Sequence, residues 1–291
     1  MPTTERLMEI VCGDGVRLAA RIFEPADAPP GVAIVLHGAT GVPRDYYAAF
    51  ARWLAEARGA AVLTYDYRDS GHSARGPVRR SRASMGDWGV LDQGAALEFA
   101  CETWPDLPVE VVGHSLGGMF LPFHARADRV RQLTAVASGP AFWTRHPPGF
   151  LPQVIAFWFL AGPVATLLNG YMPGRLLGLG ADLPGPVYWQ WRRWCTSPRF
   201  HRVDWGSALP QPDPARVTGK VRLVGIADDP MIPPPVVRDL AAFYPQAEIE
   251  HLEIAPAAYG LKAIGHLRVF SERCKAAWPV IAGAVAAPQA A

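Results

Sequence analysis

Short apolar runs alternate with helical patterns along the first half of the chain. Five of these runs are typical of strands: residues 16–23, 32–36, 61–65, 109–112 and 133–137. Runs that stay aliphatic without polar alternation, such as 32–36, indicate strands that are buried on both faces of a parallel sheet. Residues 46–58 and 87–102 carry apolar side chains at helical spacing, and Gly59 ends the first of these helices. This alternation predicts an α/β fold with a mostly parallel central sheet flanked by helices.

The pattern is interrupted once. Between residues 140 and 214 the chain is crowded with Pro and Gly, and this segment holds six of the ten tryptophans. The β–α rhythm resumes with strand-like runs at 221–226 and 247–254. The economical interpretation is one α/β core formed by residues 1–139 and 215–291, with a mainly helical cap inserted at 140–214.

Charge and apolar content narrow the class of protein. The chain has 28 Lys and Arg residues against 26 Asp and Glu residues, and only 19% of its residues are charged. A nucleic-acid-binding protein would usually concentrate basic residues on one face, so we expect no nucleic-acid partner. Half of the residues are hydrophobic, which excludes an intrinsically disordered chain.

No segment has the pattern of a signal sequence or of a membrane-spanning helix. The N-terminus carries charged residues and lacks a continuous apolar run. The apolar stretch 154–168 is interrupted by Gly162 and Pro163, and it is shorter than the roughly 20 apolar residues that a span needs. We therefore expect a cytoplasmic protein without a transmembrane span, and we interpret 154–168 as a buried or pocket-lining part of the cap. The four cysteines are far apart, which predicts reduced thiols and no metal site.

The segment Gly113-His114-Ser115-Leu116-Gly117 matches the pattern G-x-S-x-G. This pattern works where a strand delivers the serine into a tight turn, small residues flank the turn, and a helix leaves at once. The strand 109–112 precedes the motif, and residues 116–127 can form the helix. Ser115 is therefore the predicted nucleophile, and the backbone N–H of Leu116 is a predicted donor to the oxyanion.

A serine nucleophile needs an imidazole base and an acid that orients this base. His266 lies beyond the last acid candidates, in a loop before the final helix, and it is the predicted base. The acid should follow the strand 221–226, where Asp228 and Asp229 are adjacent. We favour Asp229, with Asp228 as the alternative, and we expect the other aspartate to be a solvated turn residue.

A second oxyanion donor should come from the loop after the strand 32–36. This loop reads His37-Gly38-Ala39-Thr40-Gly41, and we assign the donor to the backbone N–H of Ala39. His37 is expected to pack and to form hydrogen bonds beneath the loop without taking part in proton transfer.

Several short motifs occur in the order and spacing of the α/β-hydrolase superfamily: Leu36-His37-Gly38, Tyr65-Asp66-Tyr67-Arg68, the serine motif, Asp228-Asp229-Pro230 and Gly265-His266. Over nearly its whole length the chain resembles this superfamily, in particular bacterial hydrolases near the lysophospholipase and serine-aminopeptidase branch. The resemblance implies an α/β-hydrolase fold in which Ser115, Asp229 and His266 form the catalytic triad. The chain departs from the superfamily at Asp69, where glycine is usual, and this leaves the conformation of that loop open.

The predicted cap is rich in aromatic residues and poor in acidic ones. Trp143 and Trp158 are the predicted substrate-binding residues, because a hydrophobic acyl chain needs an apolar lining. The alternative is that these aromatic residues form the cap's own core. Between residues 140 and 214 the chain has six Arg and three Asp residues. Capture of a free α-amine needs carboxylates, so this composition disfavours an aminopeptidase.

These features predict a serine hydrolase that cleaves a carboxylic ester with an apolar acyl or alcohol part. The reaction would pass through an acyl-enzyme on Ser115 and would need no cofactor. An acyltransferase would use the same residues, and a non-catalytic binding protein on the same fold is a less favoured alternative. The expected partner is a small-molecule ester, and a homodimer is compatible with the sequence.

Overall fold

Eight of the ten strands that the structure describes form one sheet. The structure is a computed structural model that describes residues 2–178 and 180–283. The strands are β1 Thr3–Val11, β2 Arg17–Pro25, β3 Val32–His37, β4 Ala60–Tyr65, β5 Val109–His114, β6 Val130–Val136, β7 Tyr171–Met172, β8 Leu183–Pro184, β9 Lys220–Ile226 and β10 Glu248–Ile254.

The order of strands in the large sheet is β1-β2-β4-β3-β5-β6-β9-β10. The six strands β4-β3-β5-β6-β9-β10 are parallel to one another. Strand β2 is antiparallel to both β1 and β4. Strands β7 and β8 form a separate small antiparallel pair. The predicted mostly parallel central sheet is confirmed.

Short helices connect the strands and cover the sheet. Their bounds are α1 Ala48–Arg58, α2 Gln93–Thr103, α3 Leu151–Ile155, α4 Gly162–Asn169, α5 Gly185–Cys195, α6 Pro234–Asp239, α7 Gly265–Arg268 and α8 Trp278–Ile281. Helix α1 ends at Gly59, which has a left-handed φ of 57°. Glycine reaches this conformation without the steric cost of a Cβ, as the sequence pattern predicted.

Strand β3 shows how the sheet separates two hydrophobic clusters. All six residues of β3 are buried. Ala33 and Val35 pack into one cluster, whereas Ile34 and Leu36 pack into the other. Successive side chains of a strand point to opposite faces, so the two clusters lie on the two faces of the sheet. Trp158, in the predicted cap segment, belongs to the cluster of Ala33 and Val35, so its packing is continuous with the core on that face.

Two elements differ from the sequence expectations. Strand β1 was not predicted, because it lies at the sheet edge and most of its positions are exposed, so that it lacks an apolar pattern. The continuous helix expected at 116–127 is also absent. Short 3-10 turns at Ser115–Gly118, Leu121–Phe123 and Ala127–Arg129 take its place. Pro122 has no N–H and cannot continue an α-helix there.

The apolar stretch of the cap forms one continuous helical segment, Leu151–Asn169. A π-helical turn joins α3 to α4 close to Pro163, so the expected interruption does not break the helix. By length and composition this segment could cross a membrane, with a mean hydropathy of 1.7, and 22% of its most apolar window is buried. Trp158 is buried as expected, but several side chains are exposed: Ile155, Phe159, Leu160, Val164, Leu167 and Leu168. The interpretation of this stretch as buried therefore applies to one side of the helix only.

Candidate active site

The serine of the G-x-S-x-G motif lies in a sharp turn at the carboxyl end of β5. Ser115 has a φ of 54°, in the left-handed region that residues other than glycine rarely adopt. A Cβ atom at Gly113 would lie 2.3 Å from the carbonyl oxygen of Gly117, and a Cβ at Gly117 would lie 2.1 Å from that of His37. Both positions therefore require glycine. Ser115 is half-buried in this strained turn, which is the local conformation that the G-x-S-x-G motif requires.

The predicted oxyanion donor Leu116 follows in the first turn of a 3-10 helix. Backbone N–H groups at the start of a helix have no acceptor within the helix. Leu116 is only 2% exposed, so water competes little for its N–H. This position suits an oxyanion donor, and the role itself stays a prediction.

His266 and Asp229 are in direct contact. Nδ1 of His266 donates a hydrogen bond of 2.8 Å to Oδ2 of Asp229. An ionised carboxylate can only accept, so in the neutral imidazole the proton lies on Nδ1 and Nε2 keeps its lone pair. Oδ1 of Asp229 accepts from the backbone N–H groups of Met231, at 2.8 Å, and Ile232, at 3.1 Å. Asp229 is thereby fixed in position and orients the imidazole.

Opposing effects set the pKa of Asp229. Burial alone would raise this pKa, but the hydrogen bond and charge of His266 and the N–H groups of Ile232 and Met231 hold it below its usual value. Asp229 is therefore ionised near neutral pH. A buried ionised carboxylate in contact with His266 can stabilise an imidazolium when the base accepts a proton.

The base lies beside the nucleophile turn. His114, which directly precedes Ser115, has its ring centroid 5.3 Å from that of His266. Nε2 of His114 is also 2.9 Å from the carbonyl oxygen of His266. The structure therefore places the His266–Asp229 pair next to His114, the residue before Ser115, at the carboxyl end of the parallel strands, where open α/β sheets place their active sites.

Asp228 binds the start of α7, the short helix that carries His266, the predicted base. Its Oδ2 accepts from the N–H of Ile264 at 2.9 Å, and its Oδ1 accepts from the N–H of Gly265 at 3.0 Å. Asp228 is exposed and lies in a turn, as expected for the second aspartate, and its two hydrogen bonds give it a further structural role. The sequence could not show this, because the partners of Asp228 lie 36 and 37 residues further along the chain.

The predicted second oxyanion donor already has an acceptor. The N–H of Ala39 donates to the hydroxyl of Tyr47 at 2.8 Å. Tyr47 packs directly against this loop, since a Cβ at Gly38 would lie 3.1 Å from its ring. Ala39 could therefore serve an oxyanion only by sharing or exchanging its N–H. Sequence reasoning missed Tyr47, which belongs to no motif.

His37, at the end of β3, and Asp69, after β4, are two further residues that the sequence analysis singled out. His37 is 1% exposed, and its Nδ1 lies 2.7 Å from the hydroxyl of Tyr65, so it packs beneath the loop as expected. Asp69 adopts a φ of 56°, the left-handed conformation that glycine favours. Its carboxylate accepts a hydrogen bond of 2.5 Å from the hydroxyl of Ser81. The loop thus keeps a glycine-like turn with an aspartate in place.

The predicted substrate-binding tryptophans differ in burial. Trp158 is 5% exposed, and its ring stacks on that of Tyr188 with centroids 6.1 Å apart. Trp143 is half-buried and lies edge-on to Phe159 at 5.5 Å. The packing of Trp158 favours the alternative that it belongs to the core of the cap. Contact of either tryptophan with substrate stays a prediction, as do the cap boundaries at residues 140–214.

The chain shows little sign of a metal centre. Within residues 2–178 and 180–283, no three His, Cys, Asp or Glu side chains cluster as a metal ion would require. The four cysteines are buried free thiols.

The sheet order, the strained serine turn and the adjacent acid–base pair define an α/β hydrolase. The sequence profile of the family described as "Serine aminopeptidase, S33" matches residues 27–184, which is more than half of the chain. The chain belongs to this family. The matched region contains Ala39 and Ser115 but ends before Asp229 and His266, so the family match does not extend to the predicted acid and base.

Individual relatives are distant. A monoacylglycerol lipase of Mycolicibacterium smegmatis is 28% identical over 160 residues, which is 55% of this chain and 52% of that protein. The chain thus matches about half the length of this relative.

Three solved structures are similar over nearly the whole chain. An esterase of Pyrococcus furiosus has a TM-score of 0.59 at 13% identity and covers 96% of this chain and 89% of its own. A hypothetical protein of Pseudomonas aeruginosa has a TM-score of 0.63 at 17% identity, with 97% and 92% covered. An enol-lactonase of Burkholderia xenovorans has a TM-score of 0.58 at 15% identity, with 95% and 98% covered. At these identities the similarity shows the fold alone.

Proposed function

We propose that this protein is a serine hydrolase that cleaves a carboxylic ester with an apolar acyl or alcohol part. The observation that carries the proposal is the 2.8 Å hydrogen bond from Nδ1 of His266 to Asp229, beside the strained turn of Ser115. A buried carboxylate, an imidazole with a free Nε2 and a serine in such a turn are the groups that nucleophilic acyl transfer requires.

The proposed reaction has two halves. Nε2 of His266 takes the proton of Ser115 Oγ while this oxygen attacks the ester carbonyl, and the protonated imidazole then gives the proton to the departing alcohol. The acyl group is now bonded to Oγ. In the second half, His266 takes a proton from water, the hydroxide attacks the acyl carbonyl, and the proton returns to Ser115 as the acid leaves. Asp229 stabilises the imidazolium in both halves.

The oxyanion of each tetrahedral intermediate needs two N–H donors, and losing one donor costs about 3–4 kcal/mol of transition-state stabilisation. We assign one donor to Leu116. The second comes from the loop after β3, where Ala39 and Thr40 present adjacent amides. Of these two, the N–H of Ala39 is bonded to Tyr47 in this structure.

An apolar ester is favoured over a peptide with a free α-amine, although the family takes its description from aminopeptidases. Capture of an amine needs an available carboxylate, and the three carboxylates of the cap segment have protein partners. Asp204 accepts from the indole N–H of Trp194 at 2.7 Å. Asp182 accepts from a backbone N–H, and Asp213 pairs with an arginine three residues away. The cap also supplies many aromatic side chains, which suit an apolar group.

A panel of 4-nitrophenyl esters of increasing acyl length tests the proposal, with Ser115→Ala as the blank and Ser197→Ala as a control at a serine of the cap. We expect turnover and fluorophosphonate labelling by the wild type and by Ser197→Ala, and neither by Ser115→Ala. An amino-acid 4-nitroanilide series tests for aminopeptidase activity, and added alcohol tests for acyl transfer. Absence of labelling in the wild type, while a known serine esterase is labelled, would rule out the proposal.

A further inference from the structure

A chain of buried hydrogen bonds runs through the core beneath the active site. The N–H of Ala39 lies 2.8 Å from the hydroxyl oxygen of Tyr47, this oxygen lies 2.8 Å from Nδ1 of His114, and Nε2 of His114 lies 2.9 Å from the carbonyl oxygen of His266. Ala39, Tyr47 and His114 are each at most 2% exposed. This series of hydrogen bonds therefore connects the loop after β3, the end of β5 and the short helix α7 through buried residues.

Only one arrangement of protons gives every donor in this series of hydrogen bonds an acceptor. The carbonyl oxygen of His266 can only accept, so Nε2 of His114 must carry a proton and donate. Nδ1 of His114 is then an acceptor, and it accepts from the hydroxyl of Tyr47. The hydroxyl oxygen remains free to accept from the N–H of Ala39. Every donor thus meets an acceptor, and none of the groups needs a charge.

Burial keeps both side chains neutral. Burial first, and then the charge of nearby His266, lowers the pKa of His114 to about 3. Burial likewise raises the pKa of Tyr47 well above its usual value. The direction of the hydrogen bonds is therefore the same throughout the range of pH in which an esterase works. Hydrogen bonds in such a dry interior are strong, and leaving one partner unpaired is costly.

We infer that Tyr47 and His114 are positioning residues that hold the Ala39 peptide and the backbone of His266 in fixed register around Ser115. The inference rests on the proposed function of Ser115 and His266. The two side chains touch neither substrate nor the reacting atoms. Through them the loop of Ala39 and the short helix α7 of His266, which are more than two hundred residues apart in sequence, move as one unit with the turn of Ser115.

The packing agrees with this role. The ring centroid of Phe270 lies 5.3 Å from that of Tyr47 and 4.9 Å from that of His114. Tyr47 and His114 therefore both pack against the same aromatic side chain. His114 occupies the position between Gly113 and Ser115 in the serine motif. A shift of its ring would therefore move the nucleophile as well as the base.

The test compares Tyr47→Phe, His114→Phe and His114→Gln with the wild type. Tyr47→Phe removes only the hydroxyl, and His114→Gln keeps an N–H donor near the position of Nε2. Misplacement of reacting groups by about 1 Å can cost on the order of 100-fold in rate. We expect Tyr47→Phe and His114→Phe to lower kcat by about 10- to 100-fold, with KM within about 2-fold, and His114→Gln to recover part of the loss. The rate of fluorophosphonate labelling should fall in the same proportion as kcat.

Tyr188→Phe is the matched control. Tyr188 is a fully buried tyrosine, and its hydroxyl donates a hydrogen bond of 3.1 Å to the carbonyl oxygen of Phe157. This bond is separate from the hydrogen bonds that join Ala39 to His266. We expect Tyr188→Phe to keep kcat within about 2-fold, since it changes stability and not geometry at Ser115. The double variant Tyr47→Phe/His114→Phe should lose no more than about the larger single loss, because both changes break one coupled chain.

The outcomes separate this inference from the proposed function. If the wild type hydrolyses no ester and Ser115 is not labelled, the proposed function fails. If the wild type is active but Tyr47→Phe and His114→Phe keep kcat within about 2-fold, only the positioning role is refuted. A rise in kcat for Tyr47→Phe would also refute it, because Tyr47 would then compete with the oxyanion for the N–H of Ala39. If His114→Phe does not fold, Tyr47→Phe decides the question alone.

Discussion

Asp229 and its neighbour Asp228 bind different parts of the segment that carries the base. The carboxylate of Asp229 contacts the imidazole of His266 at 2.8 Å, whereas that of Asp228 accepts from the backbone N–H groups of Ile264 and Gly265. One aspartate orients the ring and the other fixes the loop. Two adjacent residues of the same type therefore have separable effects on the reaction.

Asp229→Asn should lower kcat by about 10⁴-fold while the protein remains folded. Asparagine fills the same space but carries no charge, so it cannot stabilise an imidazolium on His266, and its amide can force the wrong tautomer. Steady-state hydrolysis of an active 4-nitrophenyl ester, together with thermal unfolding, measures both effects. Similar, small losses for Asp229→Asn and Asp228→Asn would mean that the acid comes from elsewhere.

Asp228→Ala should weaken catalysis through the loop. Both backbone bonds to Ile264 and Gly265 would be lost, and we expect kcat to fall about 10-fold by misplacement of the base. Asp228→Asn retains an acceptor oxygen and should lose less. Faster amide hydrogen exchange at Ile264 and Gly265 in Asp228→Ala, but not in Asp229→Asn, would confirm that the two aspartates differ. Unchanged exchange at these amides would contradict the role of Asp228.

Gly117→Ala should destabilise the protein strongly. Its Cβ would lie 2.1 Å from the carbonyl oxygen of His37, a backbone atom that can move only with β3. Overpacking typically costs about 1–3 kcal/mol of the free energy of unfolding, and a backbone atom that cannot move away puts this case at the upper end of that range. Gly76→Ala is the control, because a Cβ there meets nothing within 4 Å. Urea unfolding of both variants measures the difference, and equal stabilities would show that the turn can relax.

The secondary structure was predictable from the sequence where burial alone determines the pattern of apolar residues. Strand β3 is buried on both faces, so its aliphatic run could mean little else. Strand β1 escaped prediction because an exposed edge strand has no such pattern. The segment after Ser115 shows a third case, since local spacing suggested a helix but Pro122 breaks it into 3-10 turns. Edge exposure and single prolines are the physical reasons why these elements differ.

The candidate site was predictable where a motif marks each residue. Ser115 and His266 carry local signals, namely flanking glycines and a place in the chain order. The roles of Tyr47 and Asp228 depend on contacts between distant segments, which one sequence cannot show. The direction in which the N–H of Ala39 points depends on a single hydroxyl in the core. Motifs thus locate the reacting groups but not the residues that hold them in place.

The stability of the protein should fall in mild acid, because several histidines are buried in neutral form. Burial lowers the pKa of His114 and His201 to about 3 and that of His124 to about 4. In the unfolded chain a histidine titrates near pH 6.5. The unfolded state therefore binds more protons below that pH, and stability is complete above about 6.5 and is lost as the pH falls towards 4. Each such histidine contributes a slope of about 1.4 kcal/mol per pH unit near pH 5.

His201→Phe tests this dependence. The ring of His201 is surrounded by aromatic side chains, so phenylalanine fits the space, although Trp205 loses its hydrogen-bond acceptor. We expect a lower stability at pH 7 but a smaller loss between pH 7 and pH 5 than in the wild type. His251→Gln, at an exposed position, should leave the slope unchanged. A wild-type slope that His201→Phe does not reduce would contradict the prediction.

The two sides of the apolar helix Leu151–Asn169 should respond differently to truncation. Trp158 is 5% exposed and stacks on Tyr188, whereas Leu168 is 82% exposed. Trp158→Ala should cost about 3–5 kcal/mol of the free energy of unfolding, because it leaves a cavity in the core that joins the cap to the sheet. Leu168→Ala should change the free energy of unfolding by no more than about 0.5 kcal/mol.

The kinetics of Trp158→Phe decide whether Trp158 is a core residue or lines the substrate pocket. Phenylalanine keeps much of the packing, so KM for long-chain esters should be unchanged if Trp158 is a core residue. A several-fold rise in KM with unchanged stability would instead place Trp158 in the wall of the substrate pocket.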